Sequence, residues 1–195
     1  GVLLIPGFEM TAQTTLMLLA GLIAVGLFSI QSRGTERVAF MFGPIMVIWF
    51  LALAGFGLMA LVNAPQVLLA ISPLYAIDYL TSHGIEGLLI LSSVILVATG
   101  SEALYADMGQ LGRDPIIKSW YIVFVVLTIN YLGQGAFAMT HPEADNLLFE
   151  MVFTQMQILY IPFLILSIAA TVIASQAMIS GIFSIVYQAI TTRIL

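Results

Sequence analysis

Long runs of uncharged, apolar residues decide what this sequence can fold into. Charged residues make up only 8% of the chain and hydrophobic residues 61%, whereas a soluble domain carries about 25% charged residues. Because so few charges cannot cover a surface that faces water, we expect the chain to lie mostly in a lipid bilayer. The net charge of −5 also argues against nucleic-acid binding, which needs a basic surface.

The apolar runs predict an all-α, polytopic transmembrane helix bundle, because a spanning helix needs about 20 mostly apolar residues. The predicted spans are 14–30, 38–62, 87–111, 116–139 and 156–190. The last span belongs to a longer stretch, 147–190, which could form one long bent helix or two spans; we favour one crossing. The chain begins with Gly1 and shows no signal-peptide pattern. We therefore expect residues 1–195 to be one transmembrane-domain fragment of a longer polypeptide.

The basic residues predict the orientation of the bundle. All of them lie in alternate loops or after the last span: Arg33, Arg37, Arg113, Lys118 and Arg193. The positive-inside rule makes these positions cytoplasmic, in a multi-pass protein of the cell membrane. If 147–190 crossed twice, Arg193 would instead fall outside. The opposite loops contain acidic residues and histidines but no Lys or Arg. In the longer of these loops, 63–83, an apolar cluster too short to span predicts a short helix on the outer surface.

One carboxylate, Glu102, follows a charge-free run of mostly apolar residues. A carboxylate at membrane depth is costly and is by default a functional-site candidate; the alternative is an interfacial residue that reaches water. Thr99 shares its helix face, and Gly100, next to Ser101, permits local unwinding. Unwound carbonyls, a hydroxyl and a carboxylate are hard oxygen ligands that suit an alkali cation. The sequence therefore predicts a cation site at Thr99 and Glu102, and a break in the helix between them.

Two further side chains near this segment are secondary candidates. The hydroxyl of Tyr105 could cap the site, although tyrosine at the membrane interface is the commoner case. Asp107 could relay protons, or it could pair with an arginine of the following loop. Weaker polar signals occur on later helices, where packing between helices is the commoner role. They are Asn130, Gly133, Gln134 and Gly135 on the fourth predicted span, and a polar stripe of Thr171, Ser175, Gln176, Ser180 and Ser184 on the fifth.

No pattern in the sequence supports an enzyme. The chain has no cysteine, and we find no nucleophile elbow, no phosphate-binding loop and no pair of catalytic carboxylates. We therefore expect a transporter that needs no cofactor.

Residues 99–109 resemble a stretch of the KUP/HAK/KT potassium uptake transporters, which reads TGxEALYADMGHFG. Here the segment reads TGSEALYADMG and departs from the family at Gln110-Leu111. Other segments resemble family motifs in the same order: QSRGT at 31–35, FGPIM at 42–46, NYLGQGA at 130–136 and ATVIASQA at 170–177. The agreement runs from about residue 30 to residue 190, whereas residues 1–15 match no family segment that we can place.

The resemblance implies helices four to eight of a leucine-transporter-type core of the amino acid–polyamine–organocation superfamily. It implies potassium as the substrate, a proton as the coupling ion, and Thr99 and Glu102 as residues of the ion site. The remaining site residues, several helices and a cytosolic C-terminal domain would belong to the rest of the full-length transporter, and a homodimer is left open.

Three other functions remain open from the residues alone. A passive potassium channel would need a selectivity filter of the TVGYG type, which the sequence lacks. An amino-acid transporter of the same superfamily would use the broken helix for an organic substrate. A receptor or scaffold of this fold would transport nothing.

Overall fold

The computed structural model of the chain describes residues 36–98 and 112–192, and every regular element in these ranges is helical. The helices are α1 (Glu36–Asn63), α2 (Pro73–Ala98), α3 (Arg113–Thr140), α4 (Leu147–Gln155) and α5 (Tyr160–Thr191), with 3₁₀ segments at Pro65–Ile71 and Gln157–Leu159. The all-α fold class is therefore confirmed.

Three of the described helical segments are long and apolar enough to cross a membrane: Phe42–Asn63, Arg113–Thr140 and Gln157–Thr191. They overlap the spans predicted at 38–62, 116–139 and 156–190. The span predicted at 14–30 lies outside the described residues, and the one at 87–111 is described only as far as Ala98.

Helices α1 and α3 touch backbone to backbone at a pair of glycines. A Cβ atom added to Gly133 would lie 2.4 Å from both the Cα and the carbonyl oxygen of Gly57. Small residues at helix contacts in membranes permit this close approach. Further along both segments, Gly135 meets the side chain of Val67. Val67 lies in the 3₁₀ segment that follows α1. The contacts therefore advance in the same direction along both parts of the chain, and α1 and α3 run parallel.

The short helix α4 fixes where the last long helix begins. Asn146 caps α4 by accepting a hydrogen bond from the Phe149 N–H (3.5 Å), and Glu150 accepts one from the Asn146 N–H (3.0 Å). These bonds satisfy amide groups that a helix start leaves without partners. Met151 and Val152 of α4 are completely buried in the main apolar core. Their burial anchors the turn that follows α4.

The stretch 147–190 turns once, near Met156, and then continues as the single helix α5 rather than as two spans. Gln155, just before this turn, lies against Phe56 and Ala60 of α1. Phe163, early in α5, packs on Trp49 with ring centroids 5.2 Å apart. Helix α5 therefore runs towards the N-terminal end of α1 and is antiparallel to it.

A sharp elbow at Gly84 divides α2 into two parts. Gly84 has φ 50° and ψ −119°, a backbone conformation that glycine adopts far more readily than any other residue. The elbow folds the helix back so far that a Cβ on Gly87 would lie 3.3 Å from the Cα of Leu80. The short helix expected within residues 63–83 is thus present as two pieces, the 3₁₀ segment Pro65–Ile71 and the part of α2 before the elbow.

We expect Gly84→Ala to lower the free energy of unfolding of the full-length protein by about 1–3 kcal/mol, because an alanine at positive φ is strained. Thermal unfolding in detergent would measure the loss. Gly55→Ala is the matched control, since Gly55 is helical and an added Cβ there meets no atom within 4 Å. The control should be neutral or slightly stabilising, and equal losses in both variants would contradict the role of the elbow.

Candidate ion-binding site

The predicted site residues Thr99, Gly100, Ser101, Glu102, Tyr105 and Asp107 lie outside the described residues. The helix break predicted between Thr99 and Glu102 falls there as well. The structure gives the two elements that flank them, α2 as far as Ala98 and α3 from Arg113 onwards. The assignment of these residues to an ion site therefore remains a prediction.

The flanking part of α2 brings no charged side chain to the site. Residues 87–98 are apolar except for Ser92 and Ser93. The hydroxyl of Ser93 donates to the carbonyl of Leu89 in the same helix (3.3 Å). Compensation for a carboxylate at Glu102 must therefore come from elsewhere than this part of α2.

Two buried amide side chains have unused hydrogen-bonding capacity in the described ranges. Asn130 of α3 is 3% exposed and its Oδ1 has no partner, while Gln176 of α5 is 6% exposed and neither Oε1 nor Nε2 has one. A buried polar atom without a partner costs about 1–3 kcal/mol. These amides are therefore positions where a further helix of the full-length protein, water or a cation would find a hydrogen-bonding or coordinating group.

The polar stripe expected on the last helix is only partly buried in the described structure. The buried residues of α5 beyond its first turns are Ser167, Ala170, Ile173, Gln176 and Gly181, so of the predicted stripe only Gln176 is buried. Thr171 donates its hydroxyl to the Ser167 carbonyl (2.8 Å) and Ser175 donates to the Thr171 carbonyl (2.9 Å). Both hydroxyl groups therefore donate their hydrogen bonds within their own helix.

Gln155, at the end of α4, is a residue that sequence reasoning missed. Its side-chain amide, oriented so that both atoms find partners, donates to the Phe56 carbonyl (3.3 Å) and accepts from the Ala60 N–H (3.2 Å). The available signal was an uncharged polar residue within an apolar run. That signal is weak, because such residues are common in spanning helices.

The basic residues of the described helices lie at one end of the bundle, together with the acidic residues Glu36 and Asp114. Arg113 and Lys118 are at the start of α3, and α1, parallel to α3, starts at Glu36. The end of α5, at Thr191, is on the same side because α5 is antiparallel to α1. The opposite end carries Glu143 and Asp145, which follow the end of α3. Arg33 and Arg193 lie outside the described residues.

In the described ranges, no group of three or more His, Asp or Glu side chains could hold a metal ion. His83 instead stacks on Tyr79 of its own helix, with ring centroids 4.0 Å apart, and His141, which follows α3, stacks on Phe137 at 4.2 Å.

The fold and the polar groups within it define a membrane-embedded helical domain. The family model described as the K+ potassium transporter integral membrane domain matches residues 4–195, and the chain belongs to this family. The match confirms the predicted resemblance to a family of potassium transporters. It begins at residue 4, so it also covers most of residues 1–15, for which no family segment could be placed from the motifs.

Curated relatives cover the whole chain. It is 58% identical to the probable potassium transport system protein Kup of Methanosarcina acetivorans, 60% to Kup 1 of Geobacter metallireducens and 62% to Kup of Geotalea uraniireducens. Each comparison covers 100% of this chain but 32% of the relative. The chain therefore spans about a third of the length of these relatives. No solved structure matches it.

Proposed function

We propose that the full-length protein takes up potassium across the cell membrane and couples this uptake to protons. The observation that carries the proposal is the family match over residues 4–195, together with relatives that are named potassium transport proteins. Because the chain spans 32% of those relatives, transport requires the remaining helices. The leucine-transporter-type core, the cytosolic C-terminal domain and a homodimer belong to the same proposal.

The ion site in this proposal is built on Thr99 and Glu102. Gly100 and Ser101 loosen the helix between them, so that backbone carbonyls join the hydroxyl and the carboxylate as ligands. Tyr105 and Asp107 are secondary members. A carboxylate is suited to the coupling, because it compensates the charge of potassium when ionised and releases the ion when it takes up a proton.

The orientation in this proposal has the basic residues Arg33, Arg37, Arg113, Lys118 and Arg193 in the cytoplasm. The starts of α1 and α3 and the end of α5 lie at the same end of the described bundle. This common end supports the proposed orientation. An excess of Lys and Arg marks the cytoplasmic side of membrane proteins. The acidic opposite end then faces outwards, where negative charge raises the local concentration of cations.

Uptake of Rb⁺ by proteoliposomes that contain the full-length protein tests the function. With equal Rb⁺ on both sides, an inward proton gradient should drive Rb⁺ accumulation, and a protonophore should abolish the effect of the gradient with the membrane potential clamped. Rb⁺ that only equilibrates, whatever the proton gradient, would indicate a passive channel. Competition by amino acids would indicate the related amino-acid transporters, and the absence of any flux would contradict transport.

A further inference from the structure

The side-chain amide of Gln155 bridges two backbone groups that are already bonded to each other. With its oxygen and nitrogen assigned so that each has a partner, Nε2 donates to the carbonyl of Phe56 (3.3 Å) and Oε1 accepts from the N–H of Ala60 (3.2 Å). Phe56 and Ala60 are four residues apart within α1, so this carbonyl and this N–H form one bond of the helical ladder. In this assignment of the amide, each of the two groups has a second, neutral partner.

One glycine lies just before this turn of α1 and one lies within it. A Cβ added to Gly55 would meet no atom within 4 Å, whereas one added to Gly57 would lie 2.9 Å from the Cα of Asn130. Glycine is the residue at which a helix bends with the smallest steric penalty. Gly55 thus has no close neighbour in the described part of the chain, whereas Gly57 is held against α3.

The two halves of α1 on either side of this turn have different neighbours. From Gly57 onwards, the closest backbone contacts are with α3. Before it, Ile45, Ile48 and Ala52 line an open apolar groove of about 550 Å³ that α1 shares with α5. In the same half, Trp49 and Phe56 pack on Phe163 of α5, and the groove beside this contact leaves room for these side chains to shift.

We propose that α1 bends at residues 55–57 during the transport cycle, and that Gln155 takes over the Phe56 carbonyl and the Ala60 N–H when the bond between them opens. Backbone groups freed inside a membrane need new partners, because no water is there to bind them. Gln155 already has its donor and its acceptor in place for both groups. It is a positioning residue, and the inference rests on the proposed transport function.

Spin labels on α1 and α3 of the full-length protein, in a background without other cysteines, would detect the bend. Val47 and Tyr121 are suitable label sites, since both are exposed (58% and 73%) and the first lies before the hinge. Pulsed electron–electron distance measurements should give two populations whose ratio changes with K⁺ or pH. A single distance under all conditions would overturn the hinge.

Gln155→Met keeps a side chain of similar length and removes both hydrogen-bonding atoms. We expect it to reduce the second population and to lower kcat for Rb⁺ uptake about tenfold, with KM within about twofold and thermal unfolding nearly unchanged. Gln157→Met is the matched control, because Gln157 lies two positions on and is exposed; it should change neither distance nor rate. Gly55→Ala should also reduce the second population without lowering stability.

The results separate this role from a structural one. If Gln155→Met lowers thermal stability and broadens both populations, Gln155 only fastens α4 to α1 and the proposal is wrong. Unchanged populations and an unchanged kcat would overturn it as well. The distances do not depend on flux, so a wild-type protein that shows two populations but takes up no Rb⁺ refutes the transport function separately.

Discussion

Replacing Glu102 by Gln in the full-length protein should lower potassium uptake at least about tenfold and flatten its dependence on external pH. The amide keeps the shape of the side chain but cannot compensate the charge of a bound cation. Burial raises the pKa of a carboxyl group and a nearby cation lowers it, so proton and potassium occupancy are coupled at this residue in the proposed mechanism. The coupling is reciprocal by thermodynamic linkage. Without an ionisable group at this position, the residue neither binds a proton in the transport cycle nor compensates the charge of potassium.

The measurement is initial Rb⁺ uptake into proteoliposomes across a range of external pH, with equal amounts of each variant incorporated. Asp107→Asn removes a carboxylate five residues further on and should have a smaller effect. Thr99→Ala removes one oxygen ligand, so it should mainly raise KM. A Glu102→Gln protein with the wild-type affinity and pH profile would identify Glu102 as an interfacial carboxylate, and the site would have to be sought elsewhere.

Gly133→Ala should lower the free energy of unfolding of the full-length protein by about 3 kcal/mol, at the upper end of the range for overpacked sites. The new Cβ would lie 2.4 Å from the Gly57 backbone, a distance that no rotation of a side chain can relieve. Helices α1 and α3 would have to separate along a contact that includes Asn130 and the buried Ala136. Thermal unfolding in detergent would measure the change.

Gly135→Ala is the control for this substitution. It adds the same methyl group to the same helix, but that group would meet only the Cγ2 atom of Val67, at 3.1 Å. Because a valine side chain can shift, we expect a loss below about 1 kcal/mol, consistent with a site that can adjust. Equal losses at Gly133 and Gly135 would show that the glycine contact is looser than described.

The sequence predicted helices α1, α3 and α5 because an uninterrupted apolar run in lipid has to form its backbone hydrogen bonds within itself, as a helix does. The runs behind α1, α3 and α5 leave the backbone no partner outside its own helix, so their existence followed from composition. The elbow at Gly84 could not be predicted from composition. Glycine permits a positive φ but does not require it, and the nearby glycine at position 87 is informative only once its approach to Leu80 is known.

Polar positions were harder to predict than helices. The hydroxyls of Thr171 and Ser175 stood out in the sequence, yet they bond to their own helix. Asn130 was only a weak signal in the sequence. The structure shows that its side chain is buried and that its Oδ1 has no partner. The contact of Gln155 with α1 depends on the turn after α4, which periodicity does not reveal. Thr99 and Glu102 were predicted from spacing and chemistry, and they stay predictions.

The length of α5 has a mechanical consequence. Its 32 residues extend over about 48 Å at 1.5 Å per residue, whereas the hydrocarbon core is about 30 Å thick. An average tilt of about 20° shortens its reach across the bilayer only slightly, so several turns must stand beyond the core. Its first turns are clamped by the aromatic contacts of Phe163, so a small tilt there swings the far end through a larger arc. A tilt of α5 about these contacts would therefore displace its last turns, which extend beyond the core, farther than its first turns.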